Sequence, residues 1–132
     1  MNYLLDTHAF LWTIFESGRL SNRAKKLILN PENSIYISLI TFWEISLKYS
    51  LGKLELENIL PEELPTVSRE AGFATLPLSE NEVSSFHNLP RSTHKDPFDR
   101  LIIWQAINND FILISKDRRL SEYQESGLRI TW

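Results

Sequence analysis

Four carboxylates in this 132-residue chain stand where apolar segments end or begin. Asp6 closes the run Tyr3-Leu4-Leu5, and Glu44 lies one turn into the segment that follows Ser34-Ile35-Tyr36-Ile37-Ser38. Asp99 opens the stretch Phe98 to Ile107, and Asp117 follows Phe111-Ile112-Leu113-Ile114. Carboxylates gathered in one crevice repel by about 4 kcal/mol per pair at 4 Å and an effective dielectric of about 20. A divalent cation removes that repulsion. The chain has no Cys, and His8 beside Asp6 is the only His at a strand end, so an oxygen-rich set suits Mg2+ or Mn2+ better than zinc. Such an ion activates water and neutralises charge on a transferring phosphoryl group.

Each acid also has an ordinary explanation. Asp6 and Asp117 could be helix N-caps, a role in which Asp is among the best residues. Thr41-Phe42-Trp43-Glu44 matches a capping box, and Asp96-Pro97-Phe98-Asp99 is a near variant with Asp capping and Pro at the first position. Asp99 is the hardest to dismiss. Its neighbours three, four and seven residues on are Ile102, Ile103 and Ala106, so its side chain starts on an apolar stripe and needs a partner.

These acids must be held by the elements around them. Tyr3 to Leu5, Ser34 to Ser38, Phe73 to Leu76, Phe111 to Ile114 and Leu128 to Thr131 read as short strands. Between them lie helical segments at His8 to Phe15, Asn22 to Leu29 (capped by Ser21), Thr41 to Leu51, Glu62 to Ala71, Ser79 to Phe86 and Phe98 to Asn108. Five apolar strands alternating with helices predict an α/β fold with a central parallel five-stranded sheet, helices on both faces, in one domain over 1–132. Ligands of such sheets bind beyond the carboxyl ends of the strands, where Asp6 and Asp117 stand.

Three stretches then carry a specific likeness: LLDTHAFLW at the start, SLITFWEISLKYSLGKLEL in the middle, and HKDPFDRLIIWQA followed by ILISKDRRL. In order, spacing and neighbouring residues the chain resembles the PIN-domain ribonucleases of the VapC toxin type, across essentially its whole length. The resemblance implies a PIN-like three-layer α/β/α sandwich whose acids bind Mg2+ or Mn2+ and cut RNA endonucleolytically, by attack of metal-activated water on the scissile phosphate. Carried over by position, the metal-binding acids are Asp6, Glu44, Asp99 and Asp117, with Asp96, Ser115 and Thr7 as outer-shell candidates. It also implies a homodimer and a cognate antitoxin whose C-terminal segment lies across the active-site groove. Two other readings stay open. One is an RNA-processing or quality-control nuclease of the same fold without an antitoxin, and the other is a PIN-like module that binds without cutting. An aspartyl-phosphate hydrolase would need a second Asp two residues after Asp6, where His8 stands.

Composition bears on the partner. With 14 Lys and Arg against 17 Asp and Glu the formal charge is −3, which by itself argues against a nucleic acid. The distribution is uneven, however. From Arg91 to Arg119 six bases face four acids. If Asp99 and Asp117 give their charge to a metal, Arg100, Lys116, Arg118 and His94 are candidates to hold phosphates. Trp43 and Trp12 could stack a base, although Trp12, Phe42 and Trp104 are assigned to core or interface packing. No apolar run reaches the roughly 18 residues of a membrane span, and the start lacks a basic segment before its apolar residues, so a cytoplasmic protein is expected.

Overall fold

Tyr3, Leu4 and Leu5 are all buried, although neighbouring strand residues point to opposite faces of a sheet. Both faces of this strand must therefore be covered. A computed structural model of the chain, which describes residues 1–132, shows how. Five parallel strands form one sheet: β1 (Asn2–Leu5), β2 (Ser34–Ser38), β3 (Ala74–Leu76), β4 (Ile112–Ile114) and β5 (Arg129–Thr131). Six α-helices connect or flank them: α1 (Thr7–Phe15), α2 (Asn22–Leu29), α3 (Leu39–Ser50), α4 (Leu64–Glu70), α5 (Glu80–Ser85) and α6 (Pro97–Asn109).

Alternation along the strands sorts the interior into two apolar layers. Tyr3, Leu5, Ile35, Ile37 and Ile114 pack with Phe10 of α1, Ala24 of α2, Ile45 of α3 and Leu64 of α4. Leu4 and Leu113 point the other way, onto Ile102, Ile103 and Ala106 of α6. The result is the three-layer α/β/α sandwich expected from the continuous apolar runs.

The strand order is β3-β2-β1-β4-β5. The chain winds outward from β1 in one direction through β2 and β3, then starts again on the other side with β4 and β5. The winding therefore reverses between β1 and β4, whose ends Leu5 and Ile114 lie in register. A crevice opens at such a reversal, beyond the carboxyl ends of the two strands. Its backbone is well pinned: Asp6 N–H donates to Ile114 O at 3.2 Å, and Ser115 N–H donates to Thr131 O at 3.1 Å.

Some element boundaries differ from the sequence expectation, for identifiable reasons. Helix α3 starts at Leu39 and is capped by Ser38, whose Oγ accepts from Ile40 N–H at 3.0 Å, so the capping box at Thr41 does not form. Strand β2 runs directly into α3, so the last strand residue also serves as the cap. Thr41 then lies within the first turn and turns its hydroxyl to Thr7, 3.2 Å away. The helix expected from Glu62 is divided into a 3-10 turn, Pro61–Glu63, and α4. Pro65 lacks the N–H that would join the two. A 3-10 stretch over Arg118–Ser126 was not foreseen, and it ends at Gly127 with φ +100°.

Candidate active site

Asp6 leaves β1 and caps α1, its Oδ1 accepting from Ala9 N–H at 2.8 Å. Close to its carboxyl lies Ser115, buried just past β4, whose Oγ accepts from Asp117 N–H at 3.1 Å. Burial raises the Asp6 pKa above its usual value; Ser115 and the bond from Ala9 oppose the rise, and the charge of Asp117 adds to it. Asp6 thus does both things open to it: it caps a helix and it faces the crevice.

Glu44 reaches the crevice from α3 and is only 2% exposed. Two groups satisfy it. Thr7 Oγ1 donates to Oε1 at 2.7 Å, and the Lys48 ammonium, one turn along α3, pairs closely with Oε2. Thr7 is therefore a clamp on Glu44. Lys48 was not among the residues singled out from sequence, although Glu followed four residues later by Lys is the favourable helical order.

Asp99 stands in the first turn of α6. That helix is capped by Asp96, whose Oδ1 accepts from Phe98 N–H at 2.9 Å and Asp99 N–H at 3.2 Å. The Asp99 carboxyl is pushed up to about 6, chiefly by burial, then by the charges of Asp96, Glu44 and Asp6, with His94 opposing. Asp117 behaves in the opposite way. Arg119 grips both of its oxygens, with Nε 3.0 Å from Oδ1 and Nη2 2.8 Å from Oδ2, and holds its pKa below the usual value. Arg119, like Lys48, was missed; its signal was the second Arg of Lys116-Asp117-Arg118-Arg119.

These acids meet. One carboxylate oxygen each from Glu44, Asp96 and Asp99 lies within 4.8 Å of the others, and so do donor atoms of His94, Asp99 and Asp117. Asp99 belongs to both groups and links them. Asp6, Asp99 and Asp117 also line a small cavity of about 70 Å³ at the strand ends, floored by Ile102, Ile103 and Leu113. The donor chemistry of these carboxylate oxygens fits a hard divalent cation.

The basic candidates divide. Lys116 and Arg118 are exposed beside Asp117, as a phosphate contact requires. His94 is 3% exposed, so it stands behind the carboxylates, its Nε2 3.2 Å from Asp99 Oδ2. Arg100 donates to Leu89 O, Pro90 O and the Tyr123 hydroxyl, at 3.2, 3.2 and 2.9 Å. Its work is to hold the segment before α6 in place. Arg100 is half-buried, and with Arg91, Ser92, Lys95 and the buried His94 it lines an open basic hollow of about 310 Å³. Among the aromatics, Trp43 is 58% exposed and packs edge-on against Phe98, its ring facing an apolar hollow, while Trp12 lies at the crevice mouth, only half buried.

Known proteins share this architecture. Ribonuclease VapC22 of Mycobacterium tuberculosis is 26% identical over 129 residues, covering 98% of this chain and 97% of its own. Among solved structures, VapBC2 from Rickettsia felis bound to a DNA fragment from its promoter aligns over 99% of this chain and 98% of its own, with TM-score 0.69 and 19% identity. DNA-bound VapBC from Salmonella typhimurium aligns over 99% and 97%, with TM-score 0.66 and 19% identity. The model of the PIN domain family matches residues 3–126, a span that includes all four acids and the winding reversal; the chain belongs to the PIN domain family.

Proposed function

We propose that this protein is a divalent-metal-dependent endoribonuclease and acts as the toxin of a toxin–antitoxin pair. The observation that supports the chemistry is that Asp99 joins two groups of acids, lying beside Glu44 and Asp96 on one side and lining one small cavity with Asp6 and Asp117 on the other. Burial first, and then the charges of neighbouring carboxylates, raise the pKa of Asp6 and Asp99, an environment that a bound cation would relieve. The four acids would hold Mg2+ or Mn2+. Bound there, the ion would supply an activated water and neutralise charge on the scissile phosphate. The rest falls to the chain's own side chains. Thr7 and Lys48 orient Glu44, Ser115 orients Asp6, and the buried His94 orients Asp99. Lys116 and Arg118, exposed beside Asp117, receive flanking phosphates of the RNA, and Arg100 lines a second basic hollow with Arg91 and Lys95.

The toxin reading rests on the likeness to Ribonuclease VapC22 and to VapBC complexes along nearly the full length of both chains. It carries with it a cognate antitoxin as partner, a homodimer, and action on cytoplasmic RNA. No helix is long and apolar enough to cross a membrane.

Incubation of the protein with total RNA and Mg2+ or Mn2+ tests the chemistry. Internal cleavage is expected, lost in EDTA and in Asp6→Asn and Asp99→Asn. Cleavage that survives all three would rule out the metal-nuclease mechanism. Neutralisation of the activity by the product of an adjacent short reading frame separates a toxin from a processing nuclease.

A further inference from the structure

We propose that Trp12, with His8 and Lys116, forms a nucleobase subsite beside the metal centre, which takes the base of the single-stranded RNA nucleotide next to the phosphate under attack. The proposal rests on the nuclease reading above and adds to it a surface that reads bases. One hollow of about 270 Å³ is lined by Asp6, His8, Trp12, Lys116 and Asp117. Two of the metal-centre acids, an aromatic pair and a cation therefore share a single depression.

Asp6 caps α1, and His8 and Trp12 lie four residues apart on one face of that helix, close to the carboxylate. Their centroids are 5.7 Å apart with planes tilted by 33°. Trp132 supports the indole edge-on at 5.8 Å. The Arg19 guanidinium lies 4.9 Å from the Trp12 centroid and the Lys116 ammonium 5.8 Å.

An acid-lined crevice on its own repels RNA, so attraction must come from its rim. The two cations lie over the indole, so a base that displaces the more distant Lys116 ammonium gains the ring as a stacking partner while that ammonium turns to the phosphate. In a duplex the base faces are already stacked, so an indole at the edge of a hollow of this size selects an unpaired nucleotide.

Fluorescence anisotropy tests this with two probes, 5′-fluorescein-labelled hexa-adenylate and an abasic ribose-phosphate hexamer of equal length, with Ca2+ as the metal. The wild-type protein is expected to prefer the base-bearing probe by roughly tenfold or more. Trp12→Leu keeps an apolar side chain but removes the ring and is expected to abolish the preference, whereas Trp12→Phe keeps most of it. His8→Ala alters an exposed ring and needs no repacking. It is expected to weaken the base-bearing probe severalfold and leave the abasic probe unchanged. Lys116→Ala should weaken both probes alike and flatten the salt dependence by about one phosphate. Full preference in folded Trp12→Leu together with His8→Ala overturns the subsite and leaves the ring to a protein partner. Cleavage of RNA by the wild type with Mn2+, assayed alongside, keeps the nuclease reading in that event. A preference lost in Trp12→Leu without any cleavage supports the subsite and defeats the nuclease reading. Binding of neither probe defeats the subsite, and the Mn2+ cleavage assay then decides the nuclease reading by itself.

Discussion

His94 Nε2 lies 3.2 Å from Asp99 Oδ2 and 4.0 Å from Asp117 Oδ2, so one buried ring bridges acids from two different elements. Its other nitrogen, Nδ1, has no hydrogen-bond partner. The polar capacity of the ring is thus directed at the carboxylates. A donor behind a ligating carboxylate fixes its orientation, and loss of such a partner typically costs 10- to 100-fold in metal affinity. His94→Leu is expected to weaken Mn2+ binding within that range while leaving the melting temperature of the metal-free protein close to wild type. His94→Gln, which returns an amide donor to the same side, should recover part of the loss. Titration calorimetry of both variants checks this.

The raised Asp99 carboxyl sets a pH dependence. It titrates near 6 in the folded chain, against an ordinary 3.8. Between those values the folded state holds a proton that the unfolded state has released. The stability it contributes is therefore present below about pH 4 and lost as pH rises through about 6. The metal-free protein should melt at higher temperature at pH 5 than at pH 7.5 in EDTA, and Asp99→Asn should remove most of that difference. Mn2+ competes with the same proton, so its stabilising effect should be full at pH 7.5 and fade below about 6. Thermal melts over that range, with and without Mn2+, test both signs.

The main features of the fold were readable because each rests on a local pattern. Apolar runs such as Phe111 to Ile114 announce buried parallel strands, and acids following them announce the ligand edge. Ser21 and Asp96 cap their helices as expected, since capping is decided within four residues. What escaped depends on contacts between distant segments. The donors of Arg100 reach Leu89, Pro90 and Tyr123, up to 23 residues away. His94 looked like a rim residue, because nothing nearby in sequence says that the segment before α6 folds under the carboxylates. Lys48 was visible as a helical partner of Glu44, but its importance depends on Glu44 being buried. That burial follows only once α1 brings Thr7 across from 37 residues away.

Lys48 supplies the counter-charge that Glu44 needs in the absence of metal. Glu44 is almost wholly buried, while the Lys48 side chain is 36% exposed. The pair therefore lies between the surface and buried regimes. Lys48→Met is expected to destabilise the metal-free protein by about 1–3 kcal/mol, because it leaves a buried carboxylate with Thr7 as its one remaining partner. A cation at the site can take over the role of the ammonium. Saturating Mn2+ should therefore raise the melting temperature of Lys48→Met more than that of the wild type. Equal shifts in the two proteins would show that Lys48 and the metal do not compensate the same charge.

Arg119 sets the last expectation, since its guanidinium holds both oxygens of Asp117. A metal ion that draws on Asp117 must loosen that grip. The Arg119 side chain is 65% exposed, so the pair is screened by solvent and its hold is modest. Arg119→Ala frees the carboxylate, lets its pKa return toward the ordinary range, and is expected to tighten Mn2+ binding at pH 7.5 by about two- to fivefold. At that pH Asp117 stays ionised in both proteins, so the gain reflects release of the carboxylate and no change in its charge. RNA cleavage should move differently. If Arg119 turns to a phosphate once Asp117 binds metal, Arg119→Ala raises KM for RNA even as it improves metal affinity. Measuring the Mn2+ dissociation constant and the KM for RNA on the same preparation separates the two roles, and a variant that gains in both would confine Arg119 to holding Asp117 in the metal-free protein.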